Sequence, residues 1–264
     1  MEARSRTVWL SRRMTLYAPA AFVFLAVVSL WQIYVELMQV PPYILPSPWL
    51  TAQTLVADRG ILFPALMQTL NTTLFALAAS IAAGGGLAIL FSQWKWAERS
   101  FLPFAIVLQV TPIIAIAPLL LIYLEPSSAV RVCAFLAAFF PILSNTALGL
   151  SSADRHLVEL FKLYGAGRWQ ALVSLKLPSA LPFFFAGLRI GGGLALIGAV
   201  AAELAAGSAG KGAGLAFRIS EAGYRLNVPR MFAALALISA AGIAIYAGLS
   251  FLSRLALGRW HNSA

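Results

Sequence analysis

Apolar runs separated by short polar breaks dominate the chain. A helix needs about 20 apolar residues to cross the hydrocarbon core of a bilayer, and six runs reach that length. They cover about Met14 to Met38, Ala65 to Phe91, Leu102 to Leu124, Ala129 to Leu150, Ala180 to Ala206 and Met231 to Leu257. The pattern therefore predicts an all-α membrane protein with six transmembrane helices: a tail over 1–13, one membrane domain over 14–257 and a second tail over 258–264. The first run is too long for the apolar part of a secretory signal, which spans about 7–15 residues, and is read as a retained span.

The breaks have their own chemistry. Pro41, Pro42, Pro46 and Pro48 in PPYILPSP hold the backbone outside the helical well, predicting an extended or turned exit from the first span. Trp94, Lys95, Trp96 and Arg99 close the second span, as expected of indoles at headgroup depth and cations beyond it. Pro112 and Pro118 predict kinks in the third. The glycine-rich segment between the fifth and sixth spans, with Gly207, Gly210, Gly212 and Gly214, is read as a flexible external loop. Gly187 and Gly191 form a G-x-x-x-G pair, which predicts close approach to another helix.

Composition narrows the class. Of 264 residues, 61% are apolar and 11% charged, too few polar groups to cover a soluble domain. The net charge of +10 comes from dispersed residues and marks topology rather than nucleic-acid binding. With the N-terminus inside, twelve Lys and Arg fall in segments on the cytoplasmic side and six outside, which predicts that both termini are cytoplasmic. A single cysteine, Cys133, and two histidines, His156 and His261, exclude a disulfide framework and a His/Cys zinc site. No metal site is expected. The spans contain neither histidine nor aspartate, which argues against intramembrane hydrolysis and for a protein that is not an enzyme.

One cytoplasmic segment, 151–179, is long and charged. Leu157, Leu160, Phe161 and Tyr164 fall at i, i+3, i+4 and i+7 and define one apolar helical face. Asp154 suits the N-cap and Gly165 a left-handed C-terminus, and Gly167 loosens the corner before a second short helix from Arg168 to Leu177. Periodicity alone fits an interfacial anchor equally well. The spacing goes further. Glu159-Leu160-Phe161, three residues, Gly165, nine residues, Leu175, one residue, Leu177-Pro178 resembles the EAA loop of ATP-binding-cassette importer permeases, with Leu160 and Phe161 in place of two alanines and Leu175 in place of isoleucine. PPYILPSP, AFFPILSNTALGL, GAGRWQ, LPFFFAGLRIGGGLALIGAVAAE and NVPRMFAALALI are similar to the nitrate, sulfonate and taurine subgroup of these permeases.

The resemblance implies a type I importer permease architecture and an assembly: a second permease copy, two ATPase subunits that carry the ATP and Mg, and an extracytoplasmic solute-binding protein. The chain itself would hold no cofactor. The ATPase would grip the loop at Leu157, Glu159, Leu160, Phe161, Tyr164, Gly165, Ala166, Gly167 and Arg168, with Leu177 and Pro178 joining it to the fifth span. The subgroup carries small anions such as sulfonates, taurine and nitrate, and pyrimidine-type precursors. A phosphate-binding G-x-x-x-x-G-K-[ST] loop is lacking: the nearest stretch, Ala205 to Gly212, fails at its first and last positions. The alternative is an ion-gradient-driven carrier, although no repeated pair of broken helices supports it.

Three polar residues within spans are candidates for the translocation pathway. Gln109 and Asn145 could equally join helices through amide hydrogen bonds. Glu203 is either functional, as ionisable groups at this depth are by default, or a helix-end carboxylate that reaches the interface or an arginine.

Overall fold

The computed structural model describes residues 2–207 and 212–258. Gly210 of the external loop, Arg259 and His261 lie outside the described residues. Helices make up nearly all of the described chain: α1 (Glu2–Leu37), α2 (Pro48–Ala57), α3 (Arg59–Gln93), α4 (Lys95–Val110), α5 (Ile113–Tyr123), α6 (Pro126–Ser151), α7 (Arg155–Leu163), α8 (Arg168–Ala171), α9 (Leu177–Ala206), α10 (Leu215–Tyr224) and α11 (Val228–Leu257).

Five spans are continuous: Ala18–Leu37, Arg59–Gln93, Pro126–Ser151, Arg168–Ala206 and Val228–Leu257. The pair α4 and α5 is long and apolar enough to make a sixth when taken together, but it is bent by 99°, the shape of a broken span or a re-entrant loop. The expected kinks at Pro112 and Pro118 thus resolve into one sharp break. Thr111 precedes a proline and is pushed to ψ 125°, and Pro112 comes next at ψ 120°, so two consecutive extended residues separate the helices. Pro118 stays inside α5.

Two compact units arise. One comprises Met1–Arg59 with Glu221–Ala233. In it the chain turns after α1, with the Ile44 N–H donating to the Pro41 carbonyl at 2.9 Å. This is the extended or turned exit expected of PPYILPSP, and a helix begins at its last residue: Ser47 caps α2 by accepting from the Leu50 N–H at 3.2 Å, with Pro48 in the first turn. The Trp49 N–H donates to Gln32 Oε1 at 3.1 Å, tying α2 to α1. Arg230 Nε pairs with Asp58 Oδ2 at 2.6 Å, and the Trp31 and Phe232 rings lie 5.7 Å apart.

The other unit, Gly60–Ser220 with Ala234–Ala264, is built around α6 against α9. In lipid, helices gain little from leaving one apolar surface for another, so close packing through small residues drives their association. A Cβ on Gly187 would come within 2.8 Å of the Pro141 carbonyl oxygen and of Asn145 Cβ, one on Gly191 within 3.2 Å of the Ala138 carbonyl oxygen, and one on Gly198 within 2.9 Å of Ala137 Cβ. The close approach expected of Gly187 and Gly191 is therefore present and extends to Gly198. Ala138, Ile142, Leu188 and Ala195 fill this contact, with Leu77, Ile245 and Leu249 around it.

Candidate functional site

The segment after α6 folds as a bent arm. Asp154 Oδ1 accepts the His156 N–H at 2.8 Å and starts α7, as its N-cap position predicts. At the other end Gly165 takes φ +71°, the Gly165 N–H donates to the Lys162 carbonyl at 3.0 Å, and the Ala166 N–H donates to the Phe161 carbonyl at 2.9 Å. Those paired bonds form a Schellman stop, which satisfies the last carbonyls and turns the chain sharply.

Beyond the corner the arm departs from two separate short helices. Gly167 opens α8, and a π-helical turn over Leu172–Lys176 leads directly into α9. The Leu177 N–H donates to the Leu172 carbonyl across the wider turn, and Ser179 Oγ donates to the Leu175 carbonyl at 2.9 Å. Pro178, which brings no N–H, therefore sits at the start of α9 without breaking it. Leu172 and Leu175 are buried, Leu172 against Leu150, Ala180 and Phe91, and Leu177 packs at the edge of this cluster. Arg168–Ala206 is thus one 39-residue span that continues into the corner next to α7.

The surface of α7 divides in two. Leu157 and Leu160 are exposed at 44% and 43%, and Leu163 and Tyr164 at 84% each. Phe161, at the edge of this face, is half-buried and lines a cavity of 640 Å³ with Val158, Lys162, Ala166 and Arg168. The physical reason is tertiary: the cavity's other wall, Ser92 to Trp96, draws the Val158–Phe161 side inward. Leu163 lies off the i, i+3, i+4, i+7 series that defines the apolar face, and only its exposure identifies it. Glu159 is exposed and has no ion pair among the described residues.

The three pathway candidates occupy dissimilar surroundings. Gln109 is exposed on α4. Asn145 Nδ2 donates to the Pro141 carbonyl at 2.8 Å, and its Cβ meets Gly187 where α6 crosses α9. Glu203 is buried, and its carboxylate accepts from Thr69 Oγ1 at 2.9 Å and from the Ala216 N–H at 3.2 Å. Thr69 Oγ1 in turn accepts the Leu215 N–H at 2.9 Å. An α-helix begins with unpaired N–H groups and a partial positive charge, so a buried carboxylate at the start of α10 satisfies both partners.

The segment after α9, expected to be a loop as far as Pro229, holds a helix in its later part. Gly207 ends α9 at φ +54°, but α10 occupies much of the chain between α9 and α11, and a Cβ on Gly214 would overlap the Glu203 carboxylate. Glu203, Gln68, Thr72, Glu125 and Ser127 share the wall of a cavity of 380 Å³ with Val130 and Pro126. Among the described residues no group of His, Cys, Asp and Glu is arranged to hold a metal.

Residues 76–259 match the family described as binding-protein-dependent transport system inner membrane component. The riboflavin transport system permease protein RibX of Chloroflexus aurantiacus is 35% identical over 88% of this chain and 86% of its own length. The formylaminopyrimidine transport permease protein ThiX of Halalkalibacterium halodurans is 33% identical over 89% and 92%. A chain of the inward-facing MetNI methionine ABC transporter superposes with a TM-score of 0.66 at 16% identity, covering 75% of this chain and 97% of that one. The protein belongs to the family of inner-membrane components of binding-protein-dependent transport systems. It is an inner-membrane permease subunit of an ABC importer with the type I permease fold, a transport protein rather than an enzyme, and it works with a binding protein and ATPase subunits. Membership displaces the ion-gradient-driven alternative.

Proposed function

We propose that α7 is the element through which a separate ATPase drives this permease. The supporting observation is its exposed apolar face. Leu157, Leu160, Leu163 and Tyr164 stand free on a short capped helix, the pattern of an amphipathic helix made to enter a groove on a partner. The stop at Gly165 and the continuous span from Arg168 make the arm stiff, so displacement of α7 is carried into α9 rather than absorbed at a flexible corner. ATP and Mg belong to the ATPase, and this chain supplies neither cofactor nor hydrolytic group.

The assembly proposed is two copies of this chain with two ATPase subunits, fed by an extracytoplasmic binding protein. Both termini and α7 face the cytoplasm, on the excess of Lys and Arg in those segments. Within the cargo classes of the subgroup, the pyrimidine-type precursors are favoured, because the relatives at 33–35% identity are named for riboflavin and formylaminopyrimidine, both nitrogen heterocycles.

The test is uptake by cells carrying Gly165→Pro or Glu159→Lys. Proline cannot adopt a positive φ, so it removes the helix stop, and lysine reverses a charge on the docking helix. Each variant is expected to insert into the membrane at wild-type levels and to lose uptake. Normal uptake by correctly inserted variants overturns the proposal.

A further inference from the structure

The inward side of α7 borders a second feature, which Phe161, Ala166 and Arg168 of the loop segment help to line. The 640 Å³ cavity between α7–α8 and the junction of α3 with α4 is lined by Lys95, Lys162, Arg168 and Lys176 together with Trp94 and Trp96. No acidic side chain lines it; Glu98 and Glu159 sit on the same two helices but outside its wall. None of the four cations has an ion pair among the described residues. Lys176 Nζ makes one bond, a 3.4 Å donation to the Ser92 carbonyl, which leaves most of its donor capacity unspent.

Depth decides what such a cavity meets. Ser92 and Gln93 form the last turn of the α3 span, and the indoles of Trp94 and Trp96 are exposed at 39% and 66% directly after it. Indoles concentrate where hydrocarbon gives way to headgroups. Four unpaired cations around a cavity of ligand size, at the depth of lipid phosphates, match a basic headgroup pocket between membrane helices.

We infer that this cavity binds the phosphodiester headgroup of an anionic phospholipid. Lys95 and Lys162, both exposed and lining the cavity from opposite walls, bracket the phosphate, Arg168 offers a planar donor fork, and the two tryptophans bury the glycerol and upper acyl region. The lipid joins the α3–α4 junction to the arm, so it braces α7 from behind while leaving Leu163 and Tyr164 free. This inference stands apart from the ATPase proposal: a headgroup can occupy the cavity whether or not α7 docks on a partner. Only the assignment to the inner leaflet depends on the orientation proposed above.

The experiment uses the full chain purified in detergent and mixed with equal amounts of phosphatidylglycerol and phosphatidylcholine, with retained lipid counted by native mass spectrometry. Wild type is expected to retain phosphatidylglycerol selectively. Each lysine near an anionic lipid is worth about fivefold in affinity, so Lys95→Gln/Lys162→Gln should weaken retention by roughly 25-fold and Lys162→Gln alone by about fivefold. Arg59→Gln, an exposed basic residue away from the cavity, should change nothing. Helical circular dichroism and a monodisperse elution profile establish folding, and the exposed single variant preserves the test if the double variant misfolds. Equal retention of the two lipids, or equal loss in Arg59→Gln, overturns the inference. Displacement of the lipid by inorganic phosphate at equal molarity overturns it in favour of a free-anion site. Lost association with the ATPase at unchanged lipid selectivity assigns the cavity to the protein partner, and also overturns it.

Discussion

The two neighbourhoods at the ends of the long α9 segment treat their polar and apolar groups in opposite ways. Near its C-terminus, Glu203 is buried yet fully engaged, with Thr69 and the start of α10 supplying its donors. Before its N-terminus, α7 exposes leucines and a tyrosine with nothing against them. A buried charge without partners is costly, so the first region has to be complete within the chain. An exposed apolar face on a polar segment marks a surface that meets lipid or another protein. One end is thus structurally self-sufficient, and the other is the one proposed above to meet a partner.

Breaking the self-sufficient end should cost the most stability. Glu203→Ala leaves the Ala216 N–H and the Thr69 hydroxyl without their acceptor and is expected to destabilise the isolated chain by about 3 kcal/mol, seen as a lower thermal midpoint in detergent. Gly214→Val drives a side chain into that carboxylate and should cost about 2 kcal/mol in the same measurement. If both variants melt like wild type, Glu203 is not a structural tie.

At the other end the stability effects should shrink while the assembly effects grow. Gly165→Ala places a Cβ at φ +71° and should cost about 1 kcal/mol. Leu163→Ser/Tyr164→Ser should move the isolated chain by less than about 0.5 kcal/mol, as surface substitutions do, yet remove most co-purification with the ATPase. A large drop in melting temperature for this double variant would erase the contrast between the two ends, because it would mean that α7 already packs on its own chain.

Much of this was legible in local sequence. Asp154 and Gly165 mark the ends of α7 because a cap and a left-handed stop depend on a few adjacent residues. The Gly187 and Gly191 pair marked a close helix contact because a missing side chain has one principal use inside lipid. The half-burial of Phe161 is not legible in the sequence, because helical periodicity orders residues around an axis but does not say which side a neighbouring segment will cover. The start of α10 is not legible locally because its glycine-rich approach resembles a loop until Thr69 and Glu203, on other helices, accept the Leu215 and Ala216 N–H groups.

What the chain alone determined was its apolar, helical character, the position of its long apolar runs and the ends of α7, since apolar length and cap chemistry act over a turn or two of helix. Only the tertiary structure decided that Pro178 continues a span, that Pro112 turns one through 99°, and that Glu203 meets Thr69 from 134 residues away. Those outcomes depend on which surfaces arrive opposite one another. That information is distributed over pairs of distant residues, and no single stretch contains it.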